Sequence, residues 1–320
     1  MSPRISLMRT GFCLLVVVAA CAACAQEVAK TPARLLSTYD PNVATWLRGN
    51  LHTHTNQSDG AKPPQEVVDV FARLGYDFLV ITDHDMVTPV DSLDSKGMTL
   101  IAGNEISANG PHLLHVDAKT LVPPGADRQA VIDQVAKEGG FAIFNHPNWT
   151  QNYNHCPLES LEKWQGYTGI EIYNGVILVL EGSELATDKW DRLLAQGRRI
   201  YGFATDDSHA YPDHAGMGWV MVQSDSRGAD EIVAAMQTGR FYSSTGVTVD
   251  AIDVQGLTVS VRADNAQKIR VIGDRGRVLQ NVPGPATQFT ANPEGKYTYI
   301  RFEFYGAGDA MAWLQPMFLE

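Results

Sequence analysis

Asn50-Leu-His-Thr-His-Thr55 and Ile81-Thr-Asp-His-Asp85 decide the fold, because in each stretch a run of strand-forming residues gives way to histidine and aspartate. Phe144-Asn-His-Pro147 and Thr205-Asp-Asp-Ser-His209 repeat the pattern further along the chain. The carboxyl ends of strands are where α/β proteins gather their functional groups. Imidazole and carboxylate together are ligands of Zn, Mn and Fe ions. Four such runs in one chain predict a metal-dependent hydrolase.

Strand and helix patterns alternate between residues 46 and 246. Apolar runs such as Asp77–Thr82 are separated by segments with helical spacing, such as Pro63–Leu74. At least six strands with polar residues at their ends favour a closed or nearly closed α/β barrel. After Gly246 the runs are short, alternating and interrupted by turn residues, which is typical of an antiparallel sandwich. We therefore expect an α/β barrel at 46–246 and a small all-β sandwich-like domain at 247–320.

The first 26 residues have the pattern of a secretory signal, since Arg4 and Arg9 precede an apolar run, 11–20, that is too short to span a membrane. Val18-Ala-Ala-Cys21 fits a bacterial lipobox, in which Cys21 would carry the lipid, and Ala23-Cys-Ala25 fits an ordinary cleavage site. We favour an exported lipoprotein, periplasmic or anchored in the outer membrane, with residues 27–45 as a linker. A secreted soluble protein is the alternative.

The charge of the chain restricts its partners. The formal net charge is −11, and removing the signal would make it about −13, because two arginines and no acidic residues are lost. Such a surface repels nucleic acid, and no basic run offsets it. We expect a small-molecule ester substrate, no nucleic acid, and membrane contact only through a lipid at Cys21.

Of the four cysteines only Cys156 lies clear of the signal, so no disulfide framework is predicted.

Eight ligand-type side chains stand at five or six strand ends. His52 and His54 lie two apart on a strand and leave the same face, as do Asp207 and His209. Glu105 ends another strand, and a single carboxylate there can bridge two ions. The whole set comprises His52, His54, Asp59, His84, Glu105, His146, Asp207 and His209. We expect two or three divalent ions, of Zn, Mn or Fe. His155 and His214 fall outside the pattern; histidines in such loops are more often solvated than functional, although either could touch substrate.

The order H-x-H, S-D-G, T-D-H, G-x-E, H, H-P and D-x-H resembles the PHP family, the polymerase and histidinol phosphatase superfamily of metallohydrolases, over residues 49 to about 246. The resemblance implies a distorted (β/α)7 barrel with two or three metal ions. It implies a first ion at His52, His54, Glu105 and Asp207, a second at Asp59, His84 and His209, and a third at Glu105, His146 and one upstream histidine. That histidine is His112 or His115, and His112 is more similar to the family pattern in the residues that follow it.

Asp206 and Asp207 are adjacent, and only one is expected to bind an ion. The i, i+2 spacing with His209 selects Asp207, which leaves Asp206 as a nearby carboxylate for proton handling. A water shared by two ions would have its pKa lowered toward neutrality and supply a metal-bridging hydroxide. Asp206 and His209 are the candidate catalytic residues, and Asp206 is the candidate for proton transfer to the leaving group.

The substrate is less constrained by the sequence. His146-Pro-Asn-Trp149 lacks the arginine that many PHP relatives carry there to bind phosphate. Asn148, Trp149 and Arg240 are the candidate substrate contacts. A phosphoesterase is the first hypothesis, a carboxyl-ester or carbamate hydrolase the second, and a non-catalytic metal-binding lipoprotein the third. The second draws on a similarity to secreted members that include the carbaryl hydrolases, in Gly202–His209, Gly239–Gly246 and Ala312–Leu319.

Overall fold

The computed structural model describes residues 33–320 and the isolated positions 1 and 3, and residues 33–320 form one compact unit. The predicted lipobox with Cys21 and the first part of the predicted linker lie outside the described residues, so the export signal stays a prediction. Within the described part of the chain, no helix is long and apolar enough to cross a membrane.

A curled mixed sheet carries the polar strand ends. A two-residue strand, β1 (Leu35–Leu36), precedes it. The strands of the curled sheet are β2 (Trp46–Asn50), β3 (Phe78–Ile81), β4 (Thr99–Ile106), β5 (Leu113–Val116), β6 (Phe141–Phe144), β7 (Gly169–Asn174), β8 (Tyr201–Thr205), β9 (Trp219–Gln223) and β10 (Phe241–Ser244). Their order in the sheet is β10-β9-β2-β3-β4-β5-β6-β7-β8. A parallel bridge between Thr53 and Ser208 brings the end of β2 beside the end of β8, so the sheet curls toward closure.

The pairing within this sheet is partly parallel. β2, β3 and β4 are parallel to one another, as are β6, β7 and β8. β5 is antiparallel to both of its neighbours, and β9 is antiparallel to β2 and β10. The predicted mixed α/β fold is therefore confirmed. The predicted distorted (β/α)7 barrel is the finer statement and stays a prediction, since β5 and β9 run antiparallel to their neighbours.

Five α-helices connect the strands of the described chain: α1 (Pro64–Arg73), α2 (Arg128–Glu138), α3 (Leu158–Lys163), α4 (Thr187–Leu194) and α5 (Ala229–Gln237). Short 3₁₀ turns cover Val176–Val179 and Asp274–Gly276. Pro64 opens α1, where its missing N–H costs nothing. The Asp127 side chain caps α2 by accepting from the N–H groups of Gln129 and Ala130, and Gly139 ends that helix at φ +94°.

Strand alternation separates an inner core from the helix-covered outer face. Phe78 and Val80 pack inward, whereas Leu79 and Ile81 pack with Phe71 of α1 on the outside. The inner core also holds Ile101, Leu114, Val116, Phe141, Ile143, Phe203 and Val220. Because Glu105 follows Ile101 at even spacing on β4, its carboxylate points to the same interior. An apolar floor therefore lies beneath the polar strand ends.

The C-terminal strands extend the same sheet. They are β11 (Ala251–Gln255), β12 (Thr258–Arg262), β13 (Lys268–Gly273), β14 (Arg277–Pro283), β15 (Ala286–Thr290), β16 (Tyr299–Tyr305), β17 (Met311–Leu314) and β18 (Met317–Leu319). β11, β12 and β15 form a separate three-stranded sheet, and an apolar core lies between it and the strands around β13 and β16. β17 pairs with β10, with Tyr242 opposite Leu314. Strand pairing therefore connects the parts of the chain before and after residue 246. The separate sandwich-like domain at 247–320 stays a prediction.

Candidate metal centre

The predicted ligand side chains meet at one edge of the curled sheet. The parallel strands β2, β3, β4, β6 and β8 all end there. Glu105 lies near the end of β4, and the other four strands are followed, in that order, by His52, His84, His146 and Asp207. β5 runs the other way, so its beginning lies at this edge and brings His112 there. His115 points to the outer face and is fully buried among other residues. The structure thus brings His112 into the cluster and leaves His115 out of it.

Four atoms of the first predicted group surround a common point. The Nε2 atoms of His52 and His54 each lie 3.2 Å from Glu105 Oε2 and 3.2 Å from Asp207 Oδ1. All four side chains are buried, and both Nε2 atoms and Glu105 Oε2 lack a hydrogen-bond partner. Ligands about 2.0–2.2 Å from a zinc ion in tetrahedral geometry lie about 3.3–3.6 Å apart. The separations and the orphaned polar atoms therefore fit a divalent ion.

The second predicted group lies nearer the solvent. Asp59 is 3.5 Å from His84 Nε2 through one carboxylate oxygen and 3.4 Å from His209 Nε2 through the other. The His209 ring stacks on the His54 ring at a centroid distance of 4.2 Å, which places this group directly beside the first. His209 Nδ1 lies 2.8 Å from the backbone oxygen of Asp207, so its Nε2 is left to face Asp59.

The third predicted group is joined to the first by Glu105. Glu105 Oε1 lies 3.0 Å from His112 Nδ1 and 3.4 Å from His146 Nε2, while its Oε2 belongs to the first group. One carboxylate oxygen thus faces each group, and the bridging of two ions by Glu105 stays a prediction. Ligand atoms of His112, His146 and His155 all lie within 4.8 Å of one another.

His155 is closer to the centre than the sequence predicted. Its ring lies 4.6 Å from the His112 ring and 4.8 Å from the His146 ring, and its Nε2 accepts the backbone N–H of His112 at 3.0 Å. Burial and the charges of these two histidines lower its pKa to about 2, so it is neutral. The loop after His146 brings His155 to the beginning of β5, so this side chain is half-buried beside the predicted ligands rather than fully solvated.

Charges within the cluster compensate one another. Burial alone would lower the pKa of His52, but the carboxylates of Asp207, Glu105 and Glu171 raise it well above its usual range. For His54 the same competition raises the pKa to about 9. The pKa values of Glu105 and Asp207 are held low, because neighbouring imidazoles outweigh the effect of burial. Such imidazoles hold protons where a divalent cation would bind, so cation and proton would compete.

Comparison with known proteins supports the fold. No family model matches the chain. An uncharacterised protein from Methanocaldococcus jannaschii is 23% identical over 116 residues, which cover 32% of this chain and 68% of that protein. A crystal structure from Bacteroides vulgatus, of a two-domain protein containing a predicted PHP-like metal-dependent phosphoesterase, superposes with a TM-score of 0.51 at 19% identity. It covers 88% of this chain and 97% of its own. This chain has a PHP-like fold.

A further solved structure is similar over a shorter part of the chain. It is an amidohydrolase from Chromobacterium violaceum with bound sulfate and no metal, 17% identical, with a TM-score of 0.40. It covers 52% of this chain and 89% of its own.

Glu171 is a buried residue beside the predicted ligands, and it is not among the residues predicted from the sequence. Its Oε1 accepts from His52 Nδ1 and Thr205 Oγ1, both at 2.7 Å, and its Oε2 accepts from the His146 N–H at 2.7 Å and Asn174 Nδ2 at 2.8 Å. A proton on His52 Nδ1 leaves Nε2 free as a ligand, and the carboxylate raises its basicity. The sequence did contain a sign of this residue, because a glutamate inside the apolar strand Gly169-Ile-Glu-Ile-Tyr173 is expected to be buried and to need partners.

Asp83 holds the loop that carries Asp59. Its carboxylate accepts from Thr55 N at 2.7 Å, Thr55 Oγ1 at 2.8 Å and Ser58 Oγ at 2.8 Å. The loop 55–60 is therefore tied to the end of β3, which fixes the position of Asp59 relative to His84.

The position of Asp206 gives its predicted proton-handling role no support, and the role stays a prediction. Asp206 is fully buried behind the centre, where it accepts backbone N–H groups from Gly216, Met217 and Gly218 at 2.7–2.9 Å. Asn50 Nδ2 donates to it as well, at 3.1 Å. Burial raises its pKa to about 7 in spite of these bonds. Asp206 anchors the loop before β9, and its carboxylate does not line the cavity.

Two predicted substrate contacts also lie elsewhere. Asn148 is buried, and its Nδ2 donates to Leu185 O and to Asp188 Oδ1, both at 2.8 Å, so its amide faces the loop before α4. Arg240 lies at the opposite edge of the sheet, because its carbonyl accepts from Gln223, which pairs with Trp46 at the beginning of β2. Neither side chain is among those that line the cavity over the centre.

Trp149 is the one predicted substrate contact that faces the predicted ligands, and its contact with substrate stays a prediction. It lines a cavity of about 310 Å³ above the predicted ligands, and its ring stands 5.1 Å from the His146 ring. The lining residues are Asp59, His84, Glu105, His112, His146, Trp149, Val176, Ile177, Leu180, Asp207 and His209. One side of the cavity is thus polar and the other apolar, and no lysine or arginine is among these lining residues.

Proposed function

We propose that this protein is a metal-dependent hydrolase of ester bonds and that phosphoesters are its first candidate substrates. The observation that carries the proposal is the convergence of orphaned imidazole and carboxylate atoms around Glu105, at the base of a cavity. The PHP-like fold places those groups at strand ends, as expected for a catalytic centre. The naming of the Bacteroides vulgatus protein as a predicted phosphoesterase agrees with this proposal.

We assign the ligands as three connected sets. The first is His52, His54, Glu105 and Asp207, the second is Asp59, His84 and His209, and the third is Glu105, His112 and His146. Divalent ions held there would lower the pKa of a coordinated water and polarise the scissile ester. Nitrogen and oxygen ligands without a thiolate suit Zn, Mn or Fe.

The protein side chains have separate roles in this proposal. Glu171 and Asp83 orient ligands, and the inner core keeps water away from the base of the centre. His209 has one free ring nitrogen, since its Nδ1 is bonded to the Asp207 carbonyl. That nitrogen can bind an ion or transfer a proton but cannot do both at once, and its position opposite Asp59 favours ion binding.

The test pairs ion content with turnover. Purified protein loaded with Zn²⁺ or Mn²⁺ should hydrolyse p-nitrophenyl phosphate or bis(p-nitrophenyl) phosphate, and the ions should be counted by elemental analysis. His54→Ala and Asp207→Asn should abolish turnover and lower the ion count. Their matched controls are His214→Ala and Asp213→Asn, which lie outside the cluster. Inactivity of the loaded protein on a broad phosphoester panel would remove the phosphoesterase proposal.

A second candidate function is hydrolysis of carboxyl or carbamoyl esters. The specific observation in its favour is the cavity lining, which lacks a cationic side chain for phosphate and has an apolar side. The loaded protein would then cleave 1-naphthyl acetate or a naphthyl carbamate faster than the matching naphthyl phosphate. Inactivity on both classes, with ions bound, would favour the third hypothesis of a non-catalytic metal-binding protein.

Export is a proposal that rests on the sequence alone. The signal-like segment and Cys21 suggest action outside the cytoplasm, with or without a lipid anchor. Labelling cells with a radioactive fatty acid would distinguish the two, because only the lipoprotein would incorporate the label, and Cys21→Ser would abolish incorporation.

A further inference from the structure

One segment beside the metal centre is more apolar than its position requires. Val176 and Ile177 are buried and line the cavity, whereas Leu178, Val179 and Leu180 are 51%, 67% and 50% exposed. Leu180 lines the cavity as well, so the apolar surface continues from the inside to the outside. Tyr153, which is 55% exposed, belongs to the loop on the other side of the 180–182 segment.

Exposed apolar side chains are concentrated at this place. Between residues 33 and 320, seven large hydrophobic side chains are exposed, and four of them are Tyr153, Leu178, Val179 and Leu180, here called the apolar rim. The remaining three, Leu74, Leu121 and Val278, are far apart in the sequence. Single exposed apolar residues need no explanation, but a continuous group beside a cavity marks a binding surface.

The apolar rim is fixed relative to the predicted ligands. Gly175 and Val176 donate their backbone N–H groups to Thr205 O and Asp206 O, both at 3.0 Å, next to Asp207. Thr150 N donates to Glu181 O at 3.0 Å, and Trp149 pairs with Gly182, so the loop of Tyr153 is joined to the same segment. These backbone hydrogen bonds hold the apolar rim in place in the structure, which contains no ligand.

We propose that the site takes amphiphilic substrates. The ester would lie over the predicted ligands, and an attached apolar chain would pass along Trp149, Val176 and Ile177 and leave the cavity over the apolar rim. This inference rests on the proposed hydrolase function and adds the substrate class. Burial of such a chain removes apolar surface of both partners from water, and no lysine or arginine of the lining offers a competing ionic contact.

The test uses n-alkylphosphonic acids from methyl to octyl, each below its critical micelle concentration. The phosphonate head binds divalent ions and mimics both phosphoesters and the tetrahedral stage of acyl transfer, so the series does not depend on the ester class. Isothermal titration calorimetry on the Zn²⁺-loaded full chain should show affinity rising by about fourfold per methylene group until the chain has passed the apolar rim.

Two variants locate the effect. The double variant Leu178→Ser/Val179→Ser changes only exposed side chains, so methylphosphonate should bind as in the wild type while octylphosphonate loses about tenfold or more in affinity. Leu121→Ser is the matched control, because Leu121 is 48% exposed and does not line the cavity. It should leave both affinities unchanged.

The inference is overturned if the wild type shows no chain-length dependence, if no member of the series binds, or if the double variant keeps the full dependence. A dimer that covers the apolar rim, detected by sedimentation and lost in the double variant, would overturn it too. If long chains bind preferentially but no ester is cleaved, the hydrolase proposal fails and this inference stands. If esters are cleaved but the affinity does not depend on chain length, the hydrolase proposal stands and this inference fails.

Discussion

At the scale of single residues, Glu171 makes a prediction that separates orientation from stability. It accepts hydrogen bonds from four donors, and glutamine can accept at only one of its two polar atoms. Glu171→Gln should therefore lower the affinity of the centre for Zn²⁺ by about 10- to 100-fold, because His52 loses its anionic partner. Competition with a chromogenic chelator measures this affinity, and a Co²⁺ spectrum reports the altered ligand field.

Glu303→Gln is the matched control for Glu171→Gln. Glu303 is also a buried carboxylate, but it is bonded to Arg301 in the C-terminal sheet. It should lower the thermal midpoint and leave metal affinity unchanged. Equal affinities of wild type and Glu171→Gln would refute the orienting role.

The histidine pKa values predict how metal affinity depends on pH. The pKa of His54 is raised to about 9, so without a metal its imidazole still holds a proton at neutral pH. An ion must displace that proton, and affinity should therefore rise with pH by about tenfold per unit for each proton displaced, levelling off near pH 9. Titration of Zn²⁺ affinity from pH 6 to 9 checks the sign. A flat or falling profile would contradict it.

At the scale of elements, the direction of β5 distinguishes His112 from His115. Residues three apart on a strand face opposite sides, so only one of them can reach the centre. His112→Ala should remove one ion per chain from the third set, as measured by elemental analysis. His115→Leu should leave the ion count unchanged, since both of its ring nitrogens are buried without partners on the outer face. Loss of an ion from the second variant would show that the assignment is reversed.

Features that depend on neighbouring residues could be predicted from the sequence, whereas features that depend on contacts with other loops could not. The positions of His52, His54, His84, Glu105 and His146 at strand ends could be predicted, because a run of strand formers and its polar end are adjacent in the chain. The positions of Asp206 and Asn148 depend on which distant loop packs against them, and no local pattern records this. The antiparallel direction of β5 was missed, although the short connection 107–112 without a helix is typical of a hairpin between antiparallel strands.

At the scale of the whole molecule, the C-terminal strands continue the curled sheet, and a buried ion pair helps to join them. Arg301 on β16 donates to both oxygens of Asp191 on α4 at 2.7 Å and to Glu303 at 2.8 Å. The sequence predicted an α/β part and a β part. It did not predict that the two parts share one sheet, because the pairing of β10 with β17 involves strands about seventy residues apart.

Arg301→Ala should therefore be strongly destabilising. It would leave Asp191 and Glu303 buried without their cation, at a cost of about 3–5 kcal/mol in the free energy of unfolding. Arg262→Ala, which removes an exposed pair with Asp264, should cost less than about 1 kcal/mol. Urea denaturation of both variants checks the difference. Similar losses in the two variants would show that the buried pair does not join the two parts.

In the proposed metal centre, side chains from distant parts of the chain hold ions around Glu105. The most direct test is a crystal structure of Zn²⁺- or Mn²⁺-loaded protein with anomalous data collected at the edge of the metal. We expect an anomalous peak between His52, His54, Glu105 and Asp207, with one or two further peaks beside Asp59 and His112. A loaded crystal without a peak at the first position would show that these four side chains do not hold an ion.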